Sequence, residues 1–287
     1  MSDRAVEFTA SLLEGEGVTL DSPKGQWLRQ RQSEARVALK EQALPTSEEE
    51  EWRFTDLTSL YKNTLSSPDD RAAVDASVVK TFLIPEASSA IVLVDGVYSA
   101  ELSRTNAVKT KIRVTDLKSA LGDERLRERL ERQLNNVGGD GVSAFCEMNT
   151  ALFKDIVVVH ADNRGVDMET IHILNISTGK HTFNHPRLML LAEKQARICI
   201  LEDYLGLGGF GYMTNAVSEL SISAGAEVIH VKLQRDDDSA FHIAHTHVGV
   251  DNGAVYRNWS VSVGGAVSRH NLVTRQREEG GYIEIKG

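Results

Sequence analysis

The chain has 287 residues, enough for one large domain or two modest ones with a sizeable core. Its 41 acidic and 32 basic residues leave a net charge of −9 with no local basic run, which argues against nucleic-acid binding. Cys146 and Cys199 lie far apart and outside any C-x-x-C pattern, so no disulfide framework is indicated and a reducing compartment fits.

Residues 1–13 read as a short helix ended by Gly15 and Gly17. Trp27, Leu28, Arg31, Ala35, Ala38, Leu39 and Leu44 recur at helical spacing, which predicts a helix over 24–44 stopped by Pro45. Ser47 and Glu50 have capping-box spacing and start a short helix toward Trp52. An irregular stretch follows, with Pro68 and Pro85 as breakers. Asp95-Gly96 between two apolar runs predicts a tight hairpin, because both central residues tolerate positive φ. Residues 112–114 read as a strand. Asp116 caps a helix to Leu134, interrupted at Gly122, whose charges between Asp123 and Arg132 read as a solvated, ion-paired face. A further helix is expected over 142–153, with Phe145, Leu152 and Phe153 in the core.

From Asp155 onward strand follows strand, and helical spacing does not return. Four tight connections end in Ala196, Ala226, Ala254 and Gly281, at intervals of 30, 28 and 27 residues. A small residue at a repeated turn lets stacked backbones approach closely. The repeat suits a β-solenoid or a sandwich of similar hairpins, and spacing alone does not choose. The expected organisation is mostly β: a helix-rich α/β N-terminal domain over 1–153 with a small hairpin, then a β core over 154–287.

These segments carry a resemblance. Glu50-Glu51-Trp52-Arg53-Phe54-Thr55-Asp56-Leu57 is similar to the N-terminal signature of SufD proteins, in the SufB/SufD family. Asn149-Thr150-Ala151-Leu152-Phe153-Lys154-Asp155, residues 171–177, Asn184-His185-Pro186-Arg187 and Leu201-Glu202-Asp203-Tyr204 follow in the family's order. Thr214-Asn215-Ala216-Val217, His230-Val231-Lys232-Leu233-Gln234, residues 240–244 and residues 264–271 complete a collinear series over nearly the whole chain. The resemblance implies a right-handed parallel β-helix after a helical N-terminal domain. It implies a non-catalytic scaffold subunit that partners SufB-like subunits and the SufC-like ATPase, with the iron–sulfur cluster belonging to the complex rather than to this chain alone. It also implies family segments beyond residue 287: more β-helix, a D-D-V-K-C-like segment and C-terminal SufC-docking helices. On that reading the β-helix is incomplete at its C-terminal end, binds SufC poorly and can self-associate through an exposed edge.

The sharpest local chemistry is His242-Ile243-Ala244-His245-Thr246-His247 with Asp251 nearby. On a strand, His245 and His247 share one face and His242 takes the other. The spacing faintly resembles a cupin metal motif, for which His270 would have to supply a further ligand. Bare histidine spacing is a weak signal, so no metal, catalytic or cofactor-binding residue is assigned; His242, His245 and His247 form the set to test. The alternative function is a cupin-like metalloenzyme using His245 and His247. A carbohydrate-active β-helix enzyme fits the fold but finds no acidic cluster. Cys199, between Ile198 and Ile200, reads as a small hydrophobe. Two separated thiols cannot ligate a cluster alone. Residues 206–211 are Gly-rich but lack the Lys-Ser/Thr of a phosphate loop, and Arg53, Arg187 and Arg269 read as structural ion-pair partners. The start has no apolar h-region and is too acidic for a transit peptide, and the longest apolar runs are too short to span a bilayer. A cytoplasmic location is expected, or a plastid stroma if a transit peptide has been removed, with no membrane partner.

Overall fold

The computed structural model describes residues 3–18, 23–42, 44–68, 74–105, 111–137, 143–162, 167–207 and 211–287. In chain order its elements begin with α1 (Asp3–Leu12), α2 (Gln26–Gln42), α3 (Thr58–Tyr61) and α4 (Ala76–Phe82). There follow β1 (Ser89–Val94), β2 (Val97–Tyr98), β3 (Ile112–Thr115), α5 (Leu117–Gly122), α6 (Glu124–Gln133) and α7 (Ala144–Leu152). The strands then run β4 (Val157–Ala161), β5 (Glu169–Ser177), β6 (Phe183–Asn184), β7 (Arg187–Ala192) and β8 (Arg197–Gly206). They finish with β9 (Met213–Ile222), β10 (Glu227–Arg235), β11 (Phe241–Val250), β12 (Val255–Ser262), β13 (Val267–Gln276) and β14 (Tyr282–Lys286).

Successive strands from β7 alternate between two sheets. One has the order β14-β12-β10-β8-β5-β1-β2 and the other β13-β11-β9-β7-β4-β3, with β6 also pairing β9. Arg197 lies opposite Glu227, Glu227 opposite Val255 and Val255 opposite Tyr282, all in parallel register. Those offsets are the repeat read from the sequence. They decide between the two architectures: strands flanking each tight turn belong to different sheets, so the turn is the corner of a coil and not of a hairpin. The result is a parallel β-solenoid of about four turns after an N-terminal α/β region.

The corners explain the repeated small residue. Gln195, Gly225, Gly253 and Gly280 have φ of 60°, 67°, 63° and 79°, each one residue before the repeat position. This left-handed residue swings the next side chain inward, where the Ala196, Ala226 and Ala254 methyls are fully buried in the interior core. The expected close approach is thus a turn into the core, with room only for a methyl.

The two sheets differ on their outer faces. In β10, Val228, His230, Lys232 and Gln234 are buried while Ile229, Val231 and Leu233 are half-exposed, a one-sided alternation. In β9 and β11 every residue is buried, because the N-terminal helices cover that sheet. Phe8, Leu12, Ala35, Leu39, Trp52, Leu60, Phe145 and Met148 pack on Met213, Phe241 and Ile243. Leu117, Leu121, Leu126, Leu130 and Phe153 cover Met189 and Leu191. β1 continues the first sheet beside β5 in parallel, and β3 continues the second beside β4 antiparallel, so residues from the N-terminal region extend both sheets.

The predicted hairpin is present, with Asp95 and Gly96 at φ 50° and 82°. The expected break at Gly122 is a second capped start: Asp123 accepts from Arg125 N at 3.0 Å and Leu126 N at 3.2 Å. Three expectations need correction. The stretch read as irregular contains α3 and α4, too short for a periodic signal. The Ser47–Glu50 capping box is displaced by one residue: Glu49 Oε1 accepts from Thr46 N at 3.1 Å, and only a 3₁₀ turn (Glu50–Trp52) follows. Several strands also run longer than their apolar cores, since β8 continues through Glu202, Asp203 and Tyr204 to Gly206.

Candidate functional site

Polar side chains gather in two buried layers, one outside the second sheet under α7 and one inside the solenoid. In the outer layer Ser143 caps α7 by accepting from Cys146 N at 3.2 Å, and its Oγ lies 2.9 Å from His245 Nε2. Asn271 Nδ2 donates to the same His245 nitrogen at 2.9 Å. Burial pushes His245 down to about 3, which keeps the ring neutral. One turn along α7, Cys146 Sγ lies 3.7 Å from His247 Nε2. This is a Cys–His pair in outline, but burial pushes the thiol up to about 11 and His247 down, so no thiolate forms near neutral pH.

Beside it sits Arg187, the largest fully buried side chain among the described residues. Its Nη2 donates to Glu219 Oε2 at 2.6 Å and Asn135 Oδ1 at 2.5 Å, and its Nη1 to Asn149 Oδ1 and Thr150 Oγ1 at 3.0 Å each. Glu219 Oε1 accepts from Asn135 N at 2.7 Å. The two charges pair, both Nη atoms are hydrogen-bonded while the buried Arg187 Nε is not, and the set ties the C-terminal flank of α6 to α7, β7 and β9. Arg187 is the structural ion-pair partner that was expected.

The inner layer comes from strand parity. Residues sharing the inward face of β8 with Ile198 and Ile200 are Glu202 and Tyr204. The register places His230 beside Ile200, Lys232 beside Glu202 and Gln234 beside Tyr204. Glu202 Oε2 accepts from the Tyr204 hydroxyl and from Ser218 Oγ, the latter at 2.9 Å, while Oε1 lies 2.7 Å from His230 Nε2. His230 Nδ1 lies 2.9 Å from the Tyr256 hydroxyl. Lys232 Nζ sits 3.7 Å over the Tyr204 ring. Burial alone would raise Glu202, but the hydrogen bond and charge of His230, then Lys232 and Tyr204, hold its carboxyl far below the usual range. Burial lowers the Lys232 amine to about 8 against the pull of Glu202 and Asp236.

His242 also points into this interior. Its ring stands edge-on to Tyr204 at 4.8 Å, and Nδ1 lies 2.9 Å from Asp236 Oδ2, yet neither ring nitrogen has an aligned hydrogen bond. Asp236 is instead satisfied by Tyr212 and Gln234 at 2.7 and 2.9 Å. His270 lies inside as well, 2.9 Å from Thr246 Oγ1 and 3.3 Å from Ser260 Oγ, and burial takes it down to about 2.

The histidine test set is therefore split as parity required: His245 and His247 under α7, His242 in the interior. The other residues of the cupin-like spacing are not brought to them. Asp251 pairs with Arg277 Nε at 2.7 Å at a coil corner, and His270 is on the opposite face of the sheet. Among the described residues no group of three or more His, Cys, Asp or Glu side chains is placed to hold a metal ion. Cys199 is on the outer face of β8, half-exposed. Residues 208–210 of the Gly-rich loop lie outside the described residues. Arg53 pairs with Glu50 at 3.4 Å on the surface. Arg269 differs from the ion-pair expectation: it donates to Thr55 Oγ1 at 2.9 Å and lies 4.1 Å over Trp52, fastening the aromatic N-terminal segment to β13.

Sequence reading passed over Glu202, Tyr204, Lys232 and Asp236 as chemistry. The available signal was parity: continuing the inward alternation of Ile198 and Ile200 puts Glu202 and Tyr204 inside.

The arrangement defines a parallel β-solenoid with a helical cover, whose buried charges are neutralised by their own neighbours. The chain belongs to the SufB/SufD family of the SUF system for iron–sulfur cluster assembly. Residues 9–173 match the SufBD protein N-terminal region, and residues 175–287 match the SUF system FeS cluster assembly SufBD core domain. An iron–sulfur cluster assembly SufBD family protein of Synechocystis is 31% identical over 255 residues, covering 84% of this chain and 55% of the relative. The chloroplastic protein ABCI7 of Arabidopsis thaliana is 26% identical over 81% of this chain and 49% of its own length. The iron–sulfur cluster assembly protein SufD of Escherichia coli is 24% identical over 99% of this chain and 62% of its own length. The chain thus spans about half to three-fifths of the curated relatives it matches. No described helix is long and apolar enough to cross a membrane.

Proposed function

We propose that the chain acts as a SufD-type, non-catalytic scaffold subunit of an iron–sulfur cluster assembly complex, partnering a SufB-like subunit and a SufC-like ATPase. The observation that carries this reading is the pair of family matches, which together run from residue 9 to residue 287. Two features support it. The Cys146 thiol is buried and held protonated, as a structural cysteine is. The Arg187–Glu219 and Glu202–His230 pairs satisfy one another, as structural charges do. The cluster is cargo on this reading, built at the level of the complex with ligands drawn mainly from other subunits. A bacterial cytoplasm, or a plastid stroma, is the matching compartment. Co-expression of the tagged chain with a SufB-type and a SufC-type subunit from one genome tests it. Co-elution with the SufB-type subunit through affinity and size-exclusion steps is expected; elution free of both would overturn the proposal.

A further inference from the structure

One end of the first sheet's outer face lies under a short segment of the N-terminal region. Val79, Phe82 and Leu83, from α4 and its C-terminal flank, pack there on Val92, Leu174, Ile176 and Leu205 of β1, β5 and β8. α4 has seven residues, too few to persist as a helix in water, so it depends on being docked. Polar contacts fasten it further. The Arg235 guanidinium lies 5.1 Å over the Phe82 ring while its Nε and Nη2 donate to Asp203 at 2.9 and 2.6 Å. On the flank of α4, Ile84 N donates to Nδ1 of His172 at 3.4 Å. His172 is completely buried beneath this segment.

The Ile84 contact fixes a protonation state. A backbone N–H can only donate, so Nδ1 of His172 presents its lone pair and the ring proton sits on Nε2. Nε2 lies 3.5 Å from Asp203 Oδ2. Burial alone would raise the Asp203 carboxyl, but His172 and Arg235 hold it below the usual carboxylate range. A second proton on the ring has to go to Nδ1, where it meets the Ile84 N–H head on. The imidazolium therefore keeps Asp203 and loses Ile84. The charged groups facing His172 are Asp203 of β8 and Arg235 at the end of β10. Lys80 and Glu86 of the covering segment are exposed, and Arg104 is tied to the Ala87 carbonyl at 3.0 Å. Asp203 and Arg235 keep their charges across the neutral range, so His172 is the member of this trio that changes.

We propose that residues 76–88 form a proton-released cover, docked while His172 is neutral and lifted from the sheet when the ring takes a second proton. The proposal goes beyond the scaffold role and does not depend on it. Its sign follows from the hydrogen bond. The docked state needs a bare Nδ1 and the lifted state does not, so the lifted state binds more protons at His172 and acid favours it. Lifting uncovers Leu174, Ile176 and Leu205. Parallel register sets half-exposed Leu201 beside His172 and half-exposed Leu233 beside Asp203, so the uncovered patch joins an apolar strip already open on this face.

Hydrogen–deuterium exchange of the intact chain, read by mass spectrometry, tests it at about pH 5.5 and about pH 7.5, on either side of the ordinary imidazole range. Rates are corrected for the intrinsic effect of pH on exchange. Amides of residues 76–88 are expected to exchange at least about fivefold faster at the lower pH, while β9 and β11 keep their protection. In His172→Gln, whose side-chain oxygen can accept from Ile84 at either pH, the corrected rates should agree within about twofold. Circular dichroism checks that this variant folds. Nitrogen NMR of the histidine rings in the wild type supplies a readout that needs no variant: Nδ1 of His172 is expected bare at the higher pH. Four results overturn the proposal. The first is a wild-type segment that exchanges no faster in acid. The second is a pH effect that persists in His172→Gln. The third is a loss of protection that extends to β9 and β11, which makes the change global. The fourth is a His172 ring protonated at Nδ1 at the higher pH.

Discussion

Replacing Arg187 with Met removes one charge from the most deeply buried ion pair among the described residues. Both side chains are almost inaccessible, at 0% and 1%. The substitution keeps much of the volume of the Arg stem but leaves Glu219 with a single partner, the Asn135 N–H at 2.7 Å. Asn149, Thr150 and the Asn135 side chain each lose a charged donor at the same time. Breaking a buried pair from one side costs about 3–5 kcal/mol, mostly the penalty of the stranded charge. At about 2 °C per kcal/mol for a chain of this size, Arg187→Met should lower the thermal midpoint by about 6–10 °C. The double variant Arg187→Met with Glu219→Leu removes the stranded carboxylate and should recover more than half of the loss. Thermal and urea unfolding followed by circular dichroism would read both. A single variant within about 1 kcal/mol of wild type, or a double variant less stable than the single, would refute the electrostatic account of this layer.

Other outcomes follow from the same structure. The Lys232 amine falls to about 8 in the folded chain against a usual 10.5, so the unfolded chain binds more protons between those values. Stability should therefore rise as pH climbs from about 8 to about 10.5, by on the order of 3 kcal/mol relative to Lys232→Met; parallel profiles for the two proteins would contradict it. Arg269→Ala removes the Thr55 hydrogen bond and the stacking on Trp52, and should cost about 1–2 kcal/mol with a red shift in tryptophan emission. An unchanged emission spectrum would mean that the aromatic segment is held by other contacts. Half-exposed Cys199 should react with a thiol reagent at least about 100-fold faster than buried Cys146 in the native protein. Equal rates for Cys146→Ala and Cys199→Ala would show that α7 opens readily.

Repetition made the solenoid legible. The 30, 28 and 27 spacing of Ala196, Ala226, Ala254 and Gly281 is the coil length itself, because each corner must turn a methyl or nothing into the core. Spacing could not separate a coil from a hairpin, since both put a tight turn between two apolar strands; pairing is long-range and leaves no local mark. α3 and α4 escaped because four and seven residues show no helical period, and their burial depends on strands far along the chain. The histidine cluster was legible in parity but not in environment. Alternation separated His242 from His245 and His247, while the cover of α7 over the latter two depends on a helix about 100 residues earlier. Glu202 and Lys232 are residue types usually found at the surface; parity with Ile198 and Ile200 points Glu202 inward, while its stacking with Lys232 and His230 follows from the register.

The most direct test of the scaffold reading is cluster assembly with and without this chain. SufB-type and SufC-type subunits from the same genome would be supplied with ferrous iron, a sulfur donor and ATP. Transfer of cluster to an apo-ferredoxin would be followed by visible absorption and by acid-labile sulfide. The account predicts that adding the chain raises the yield of transferred cluster, while the chain alone neither hydrolyses ATP nor retains iron. Equal yields with and without it, or ATP hydrolysis or stoichiometric iron retained by the chain alone, would contradict the account.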